Sequence, residues 1–115
     1  MHSLPIRPVA DDVFVAPQLS AADMAAVAEA GFRSMINNLP DLEGGADQPT
    51  AADIAAAAAQ AGLAYRHLPV NGAYQSPEEI AAFGALLREL PRPVLAFCRS
   101  GARSTRLFVA ATSGG

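Results

Sequence analysis

The sequence predicts a single three-layer α/β domain over residues 1–115, with a mostly parallel sheet and helices on both faces. Three observations carry this. A hydroxyl precedes a carboxylate by three residues at Ser20 and Asp23, Thr50 and Asp53, and Ser76 and Glu79, the spacing of a helix-opening capping box. Short apolar or alternating runs flank these signatures at Val13–Ala16, 34–39, 64–70 and Val94–Phe97. The last run is apolar throughout, as a strand buried on both faces should be.

Element by element, the order reads strand, helix, strand, helix, strand, helix, strand, loop, helix. Such alternation implies right-handed crossovers between parallel strands. In each capping signature the hydroxyl accepts from an orphan amide, and the carboxylate suits the positive end of the helix dipole. Pro77 fits the first helical position, where its missing N–H costs nothing. Gly31 and Gly62 follow the first two helical runs, as left-handed C-caps do. The alanine-rich run 51–61 is a plain helix, alanine being the best helix former. Loops 40–49, 71–75 and the one after Phe97 all leave strands at the carboxyl edge, where ligands of open parallel sheets sit. The end of the chain, Thr112-Ser113-Gly114-Gly115, reads as a frayed tail, a linker or a boundary.

The 115 residues suffice for one domain with a core, about half of them being apolar. No apolar run approaches the ~20 residues of a membrane span, and no signal-peptide pattern is present, so a cytoplasmic protein is expected. A net charge of -3 argues against nucleic acid, whose binding needs many clustered cations. All eight basic residues are arginine, and Arg99, Arg103 and Arg106 fall close together. Overall acidity with a local arginine cluster points to a small anionic substrate. Two histidines and one cysteine, far apart, give no metal-ligand spacing, and no cofactor is expected.

The lone cysteine, Cys98, is either an inert core residue or a nucleophile. It leaves a buried strand for a loop with a glycine and two arginines, ahead of a helix starting near Ala102. Amides of such a loop converge on anions, and they favour thiolate over thiol. Cys98 and Arg103 are therefore the catalytic candidates. Arg99, Ser100, Gly101, Ala102 and Ser104 are the candidates for holding a substrate anion. Gly101 lets the backbone turn closely, Arg103 offers a planar fork, and Ser104 is within reach of the sulfur. Arg99 is expected to point outward and Arg106 to face solvent. His67 reads as a partly buried neighbour, and Tyr74 as either lining the site mouth or covering a loop.

The run from Cys98 to Ser104, CRSGARS, resembles the active-site loop of the beta-lactamase-hydrolase-like phosphatase-like family. The segment from Ile36 to Glu43, Gln48-Pro49 and Leu68-Pro69-Val70 extend the similarity, which covers about residues 9–112. The resemblance implies a dual-specificity-phosphatase-like fold. Leu39 stands where arginine is expected in such a loop.

Two chemistries follow. Tyrosine and dual-specificity phosphatases place five residues between cysteine and arginine, with histidine before the cysteine. Here Phe97 precedes Cys98, and four residues separate it from Arg103. The loop is similar to the shorter Cys-Arg-x-Gly-x-Arg loop of rhodaneses, where one sulfur atom needs less room than a phosphoryl group. The loop 71–75 also lacks the carboxylic acid that alkyl ester cleavage needs; Asp41 and Asp47, on the loop 40–49, read as solvated loop carboxylates or as its substitutes. The first expectation is thus a rhodanese-like sulfurtransferase, in which Cys98 takes sulfane sulfur from thiosulfate or glutathione persulfide and passes it to an external thiol acceptor. By family resemblance, its partners would be a persulfide dioxygenase or a sulfide-oxidising flavoprotein. The alternative is a cysteine-dependent phosphatase acting through phosphocysteine. A third reading, a non-enzymatic anion-binding module, would leave Cys98 with ordinary reactivity.

Overall fold

The computed structural model describes residues 4–113. Five strands, β1 (Arg7–Ala10), β2 (Val13–Ala16), β3 (Ser34–Asn37), β4 (Ala64–His67) and β5 (Val94–Phe97), form one sheet in the order β1-β2-β5-β3-β4. Every pairing is parallel except that of β1 with β2. The strands β2 to β5 therefore end at one edge, and β5 lies in the middle with a neighbour on either side.

Four α-helices cover the sheet: α1 (Met24–Glu29), α2 (Ala51–Gln60), α3 (Pro77–Glu89) and α4 (Ala102–Ser113). Side chains alternate across each strand, so β5 feeds two cores. Leu95 and Phe97 pack with Met24, Val27, Ile54 and Ala58 of α1 and α2. Val94 and Ala96 pack with Phe83, Leu87 and Leu107 of α3 and α4. All four residues of β5 are buried, which explains its uninterrupted apolar sequence. No helix among the described residues is long and apolar enough to cross a membrane.

The three helix starts differ in detail. Ser76 and Glu79 form the full capping box, with amide bonds of 3.1 and 2.8 Å. Thr50 accepts from Asp53 N–H at 3.1 Å, while Asp41, from the preceding loop, takes the Ala51 N–H at 2.8 Å. At Ser20 the amide and hydroxyl both donate to Asp23, and they open a 3₁₀ turn, Ala21–Asp23, ahead of the short α1. Gly31 and Gly62 adopt positive φ after α1 and α2, as their C-cap placement requires.

Two boundaries and one element depart from the sequence reading. Strands expected over 34–39 and 64–70 stop at Asn37 and His67. Beyond them the Asn38 side chain bonds to the Leu68 carbonyl between the two departing segments. Strand β1 was missing from the expected order; its pairing with β2 makes the sheet antiparallel at that edge. Arg7-Pro8-Val9-Ala10 is half exposed, so it carries no buried alternation to read. Of the tail, Thr112 and Ser113 close α4, and Gly114 and Gly115 lie outside the described residues.

Candidate active site

Cys98 follows β5 directly, with its N–H bonded to the Ala16 carbonyl of β2 at 3.4 Å and only 1% of its surface exposed. The chain then doubles back. Gln18 N–H donates to the Arg99 carbonyl at 3.2 Å, tying the loop to the exit of β2. Gly101, at φ 92°, turns the backbone so that its N–H points at Cys98 Sγ, 3.0 Å away. A residue with a side chain would be strained there. Thr105 N–H and hydroxyl then close on the Gly101 carbonyl at 3.0 and 2.8 Å, starting α4.

Two effects compete at the thiol. Burial pushes the Cys98 pKa up. Hydrogen bonds from the amide and hydroxyl of Ser104 and the amides of Ser100 and Gly101 pull it down, and they win: the pKa lies below the ordinary thiol value. The Ser104 hydroxyl has one proton for two acceptors. It lies 2.8 Å from Asn38 Oδ1, and Asn38 is fixed in that orientation because its NH₂ donates to the Leu68 carbonyl at 3.0 Å. Asn38 and Ser104 are both fully buried. A thiolate at Cys98 competes with Asn38 for the Ser104 proton.

Arg103 is buried although charged, with 8% of its surface exposed. Its Nη1 donates to Glu43 Oε1 at 3.0 Å and to the Val70 carbonyl at 2.9 Å, and its Nη2 donates to Glu43 Oε2 at 2.9 Å. Glu43 thus grips the two terminal nitrogens end-on. The side edge of the guanidinium is left for another acceptor, and Nε there is buried without a partner. Gly72 packs flat on this group: a Cβ at Gly72 would lie 2.7 Å from Nη2.

The three loops expected at the carboxyl edge do meet: the cysteine loop supplies Arg103, the loop after β3 supplies Glu43, and the loop after β4 supplies Val70 and Gly72. Arg99 points outward, half exposed, and reaches Glu43 at 3.5 Å. The Arg103 and Arg99 guanidiniums hold the Glu43 carboxyl below its ordinary pKa, against a smaller opposing effect of burial, so it is ionised at neutrality. Ser100 and Ala102 lie exposed at the loop surface, where Ser100 Oγ accepts from Ala102 N–H at 3.3 Å. Arg106 is exposed and donates to the Gly72 carbonyl at 2.7 Å. His67 Nε2 lies 3.0 Å from the Leu39 carbonyl, partly buried. Tyr74 is 65% exposed.

The two possible substitute acids follow their alternative reading as loop carboxylates. Asp41 is taken up in capping α2, and Asp47 lies exposed on the same loop. Glu43 was not singled out as a candidate of any kind. Its signal was present as a carboxylate on the loop after β3, but nothing in the spacing shows which of three acidic residues there turns inward.

A buried cysteine just after the middle strand of a mostly parallel sheet, with the Gly101 amide on its sulfur and a buried arginine fork in the same loop, fits a phosphatase-like α/β domain. Residues 5–114 match the family model "Beta-lactamase hydrolase-like protein, phosphatase-like domain". The chain belongs to that family. It is 36% identical over 95 residues to the beta-lactamase hydrolase-like protein of Agrobacterium fabrum, covering 83% of this chain and 22% of that protein. The corresponding protein of Xylella fastidiosa is 40% identical over 81 residues, 70% of this chain and 19% of its own length. The chain thus spans about a fifth of the length of these relatives. A crystal structure from Neisseria meningitidis, provisionally assigned as a phosphatase, superimposes with TM-score 0.84 at 32% identity, over 92% of this chain and 75% of that one. Pseudomonas aeruginosa TpbA shares the fold at TM-score 0.60 and 18% identity, over 85% of this chain and 55% of its own.

Proposed function

We propose that this domain hydrolyses phosphomonoesters through a phosphocysteine at Cys98. The observation that carries the reading is the Arg103 guanidinium, fixed end-on by Glu43 with its Nε buried and unpaired. A buried donor without a partner is costly unless a ligand supplies one. A phosphoryl oxygen bound side-on to Nε and Nη2 would satisfy it. Loop amides would hold the remaining oxygens and the charge that develops on them.

In the first step the Cys98 thiolate attacks phosphorus. An S–P bond forms, the ester P–O bond breaks, and the leaving oxygen takes a proton from water. In the second step water attacks phosphorus, the S–P bond breaks, and orthophosphate and the thiolate are regenerated. Glu43 is ionised and committed to two arginines, so it is not the proton donor. Aryl phosphates, whose leaving phenolate needs little protonation, are accordingly the preferred test substrates. The family model's name, a phosphatase-like domain, and the provisional assignment of the Neisseria meningitidis structure as a phosphatase favour this reading.

Loop length supports a second reading, sulfur transfer. Four residues separate Cys98 from Arg103, and the loop 71–75 has no carboxylate. The thiolate would attack the sulfane sulfur of thiosulfate, release sulfite, and hold the sulfur as a persulfide for an external thiol acceptor. One experiment separates the two: rapid acid quench after mixing with para-nitrophenyl phosphate or with thiosulfate, followed by intact mass. A phosphoryl adduct absent from the Cys98→Ser variant supports hydrolysis. A gain of one sulfur with thiosulfate, and no phosphoryl adduct or turnover with the ester, replaces it with the second reading.

A further inference from the structure

Strand β1 runs against the rest of the sheet, and this brings its first residue to the functional edge. Arg7 pairs in register with Val15, next to the residue whose carbonyl holds Cys98 N–H. Its guanidinium, though exposed, reaches back over the cysteine loop. A terminal nitrogen of Arg7 lies 2.8 Å from where a Cβ on Gly101 would stand, and that point is 3.6 Å from the Ala16 carbonyl oxygen. Gly101 is the residue whose amide points at Cys98 Sγ. The cation therefore lies against the residue whose amide contacts the Cys98 sulfur.

Its flank is also distinctive. In the strand order, β1 and β2 lie on one side of β5, whereas β3, whose loop brings Glu43, lies on the other. Arg99 and Arg103 share the Glu43 carboxylate on that second side. Arg7 has no carboxylate partner among the described residues and is exposed. In a chain of net charge -3, an unneutralised guanidinium laid on an anion-binding loop concentrates negative charge there.

The geometry points to Arg7 as a specificity-determining residue, which takes a second anionic group on the substrate. The substrate class is then a phosphomonoester or phosphoanhydride bearing a second phosphoryl group beside the one that is cleaved. This rests on the phosphoryl reading of the loop: Arg103 and the amides take the first group, and Arg7 takes the second. The glycine at 101 has two reasons to be there, its positive φ and the space that the Arg7 guanidinium occupies.

The test is calorimetric binding of orthophosphate and of pyrophosphate to the Cys98→Ser protein, alone and combined with Arg7→Gln, Arg7→Lys or Arg33→Gln. Arg33 is an exposed arginine just before β3, at the opposite edge of the sheet. Pyrophosphate should bind about tenfold tighter than orthophosphate, the worth of one charge-assisted contact. That ratio should collapse with Arg7→Gln, be largely kept with Arg7→Lys, and persist with Arg33→Gln. An unchanged ratio with Arg7→Gln overturns the proposal, and so does an equal loss with Arg33→Gln, which would mean general charge attraction. No binding of either anion overturns it as well. Because Cys98→Ser binding needs no turnover, an absence of ester hydrolysis by the native protein would remove the hydrolytic reading while the ratio still decides on Arg7.

Discussion

Glu43 holds Arg103 by both terminal nitrogens, at 3.0 and 2.9 Å, and leaves the buried Nε of the guanidinium without a partner. On the proposed reaction the carboxylate would act through the arginine, its two oxygens being bonded to that guanidinium. Glu43→Gln should lower kcat/KM for an aryl phosphate by roughly 10–100-fold, because a neutral amide positions the fork poorly and adds a donor where an acceptor was. A loss carried mainly by kcat, with the Cys98 titration unmoved, would identify positioning; an unchanged kcat/KM would refute it.

The same pair has a pH signature in stability. The Glu43 pKa is lower in the folded state, so its contribution is present above its ordinary value of 4.5 and is lost as pH falls through the lower folded value. Native protein should exceed Glu43→Gln in stability at neutral pH by about 1–3 kcal/mol, the cost of leaving a buried donor group short of its partner. The difference should shrink on acidification below pH 4.5. Urea unfolding at several pH values measures it, and a difference constant with pH would exclude the ion pair as its source.

Cys98 should titrate below the ordinary thiol value, because the Ser104, Ser100 and Gly101 donors outweigh burial. The sign is that of a depressed acid: the folded state favours the thiolate, and the associated stability is lost as pH falls through the folded pKa. Ultraviolet absorbance of the thiolate reports the midpoint. Ser104→Ala removes the hydroxyl donor and retains the amide, so it should move the midpoint upward without restoring an ordinary thiol. An unmoved midpoint would mean that the hydroxyl stays with Asn38.

Much of this was legible in the sequence, and the reasons are particular. β5 declared itself because both its faces are buried, and Gly31 and Gly62 marked helix ends because only positive φ fits there. The cysteine loop was legible because its residues are contiguous. Glu43 and Arg7 were not, since each reaches the loop from another element through tertiary packing, and no local pattern encodes that. β1 was invisible for a related reason, being a half-exposed edge strand whose place depends on β2. Past Asn37 and His67 backbone bonds persist, from Asn38 N–H to the Phe97 carbonyl and from Leu68 and Val70 N–H to the Asn37 and Asn38 carbonyls. The Asn37 and Asn38 side chains also bond to Leu39 N–H and the Leu68 carbonyl there, a mixed pattern that apolar alternation does not show.

Gly72 offers a way to displace Arg103 without touching its charge. A methyl group there would stand 2.7 Å from Nη2, closer than real Cβ contacts come, and a tight 3.2 Å from Nε, so the guanidinium must shift. Gly72 is not held at positive φ, and its backbone should accept alanine. Gly72→Ala should therefore reduce kcat/KM about tenfold or more, the scale of a misplaced transition-state contact. The unfolding midpoint should change little, because Gly72 lies in a surface loop away from both cores. Phe83→Ala gives the opposite profile. Phe83 is a fully buried residue of α3, packed in the core away from the loop, so its truncation should cost about 3–5 kcal/mol in stability. At low temperature the surviving folded fraction should keep its Cys98 titration. If Gly72→Ala instead unfolds the protein while retaining activity per folded molecule, then Arg103 accommodates the methyl group, and its observed position is not required for catalysis.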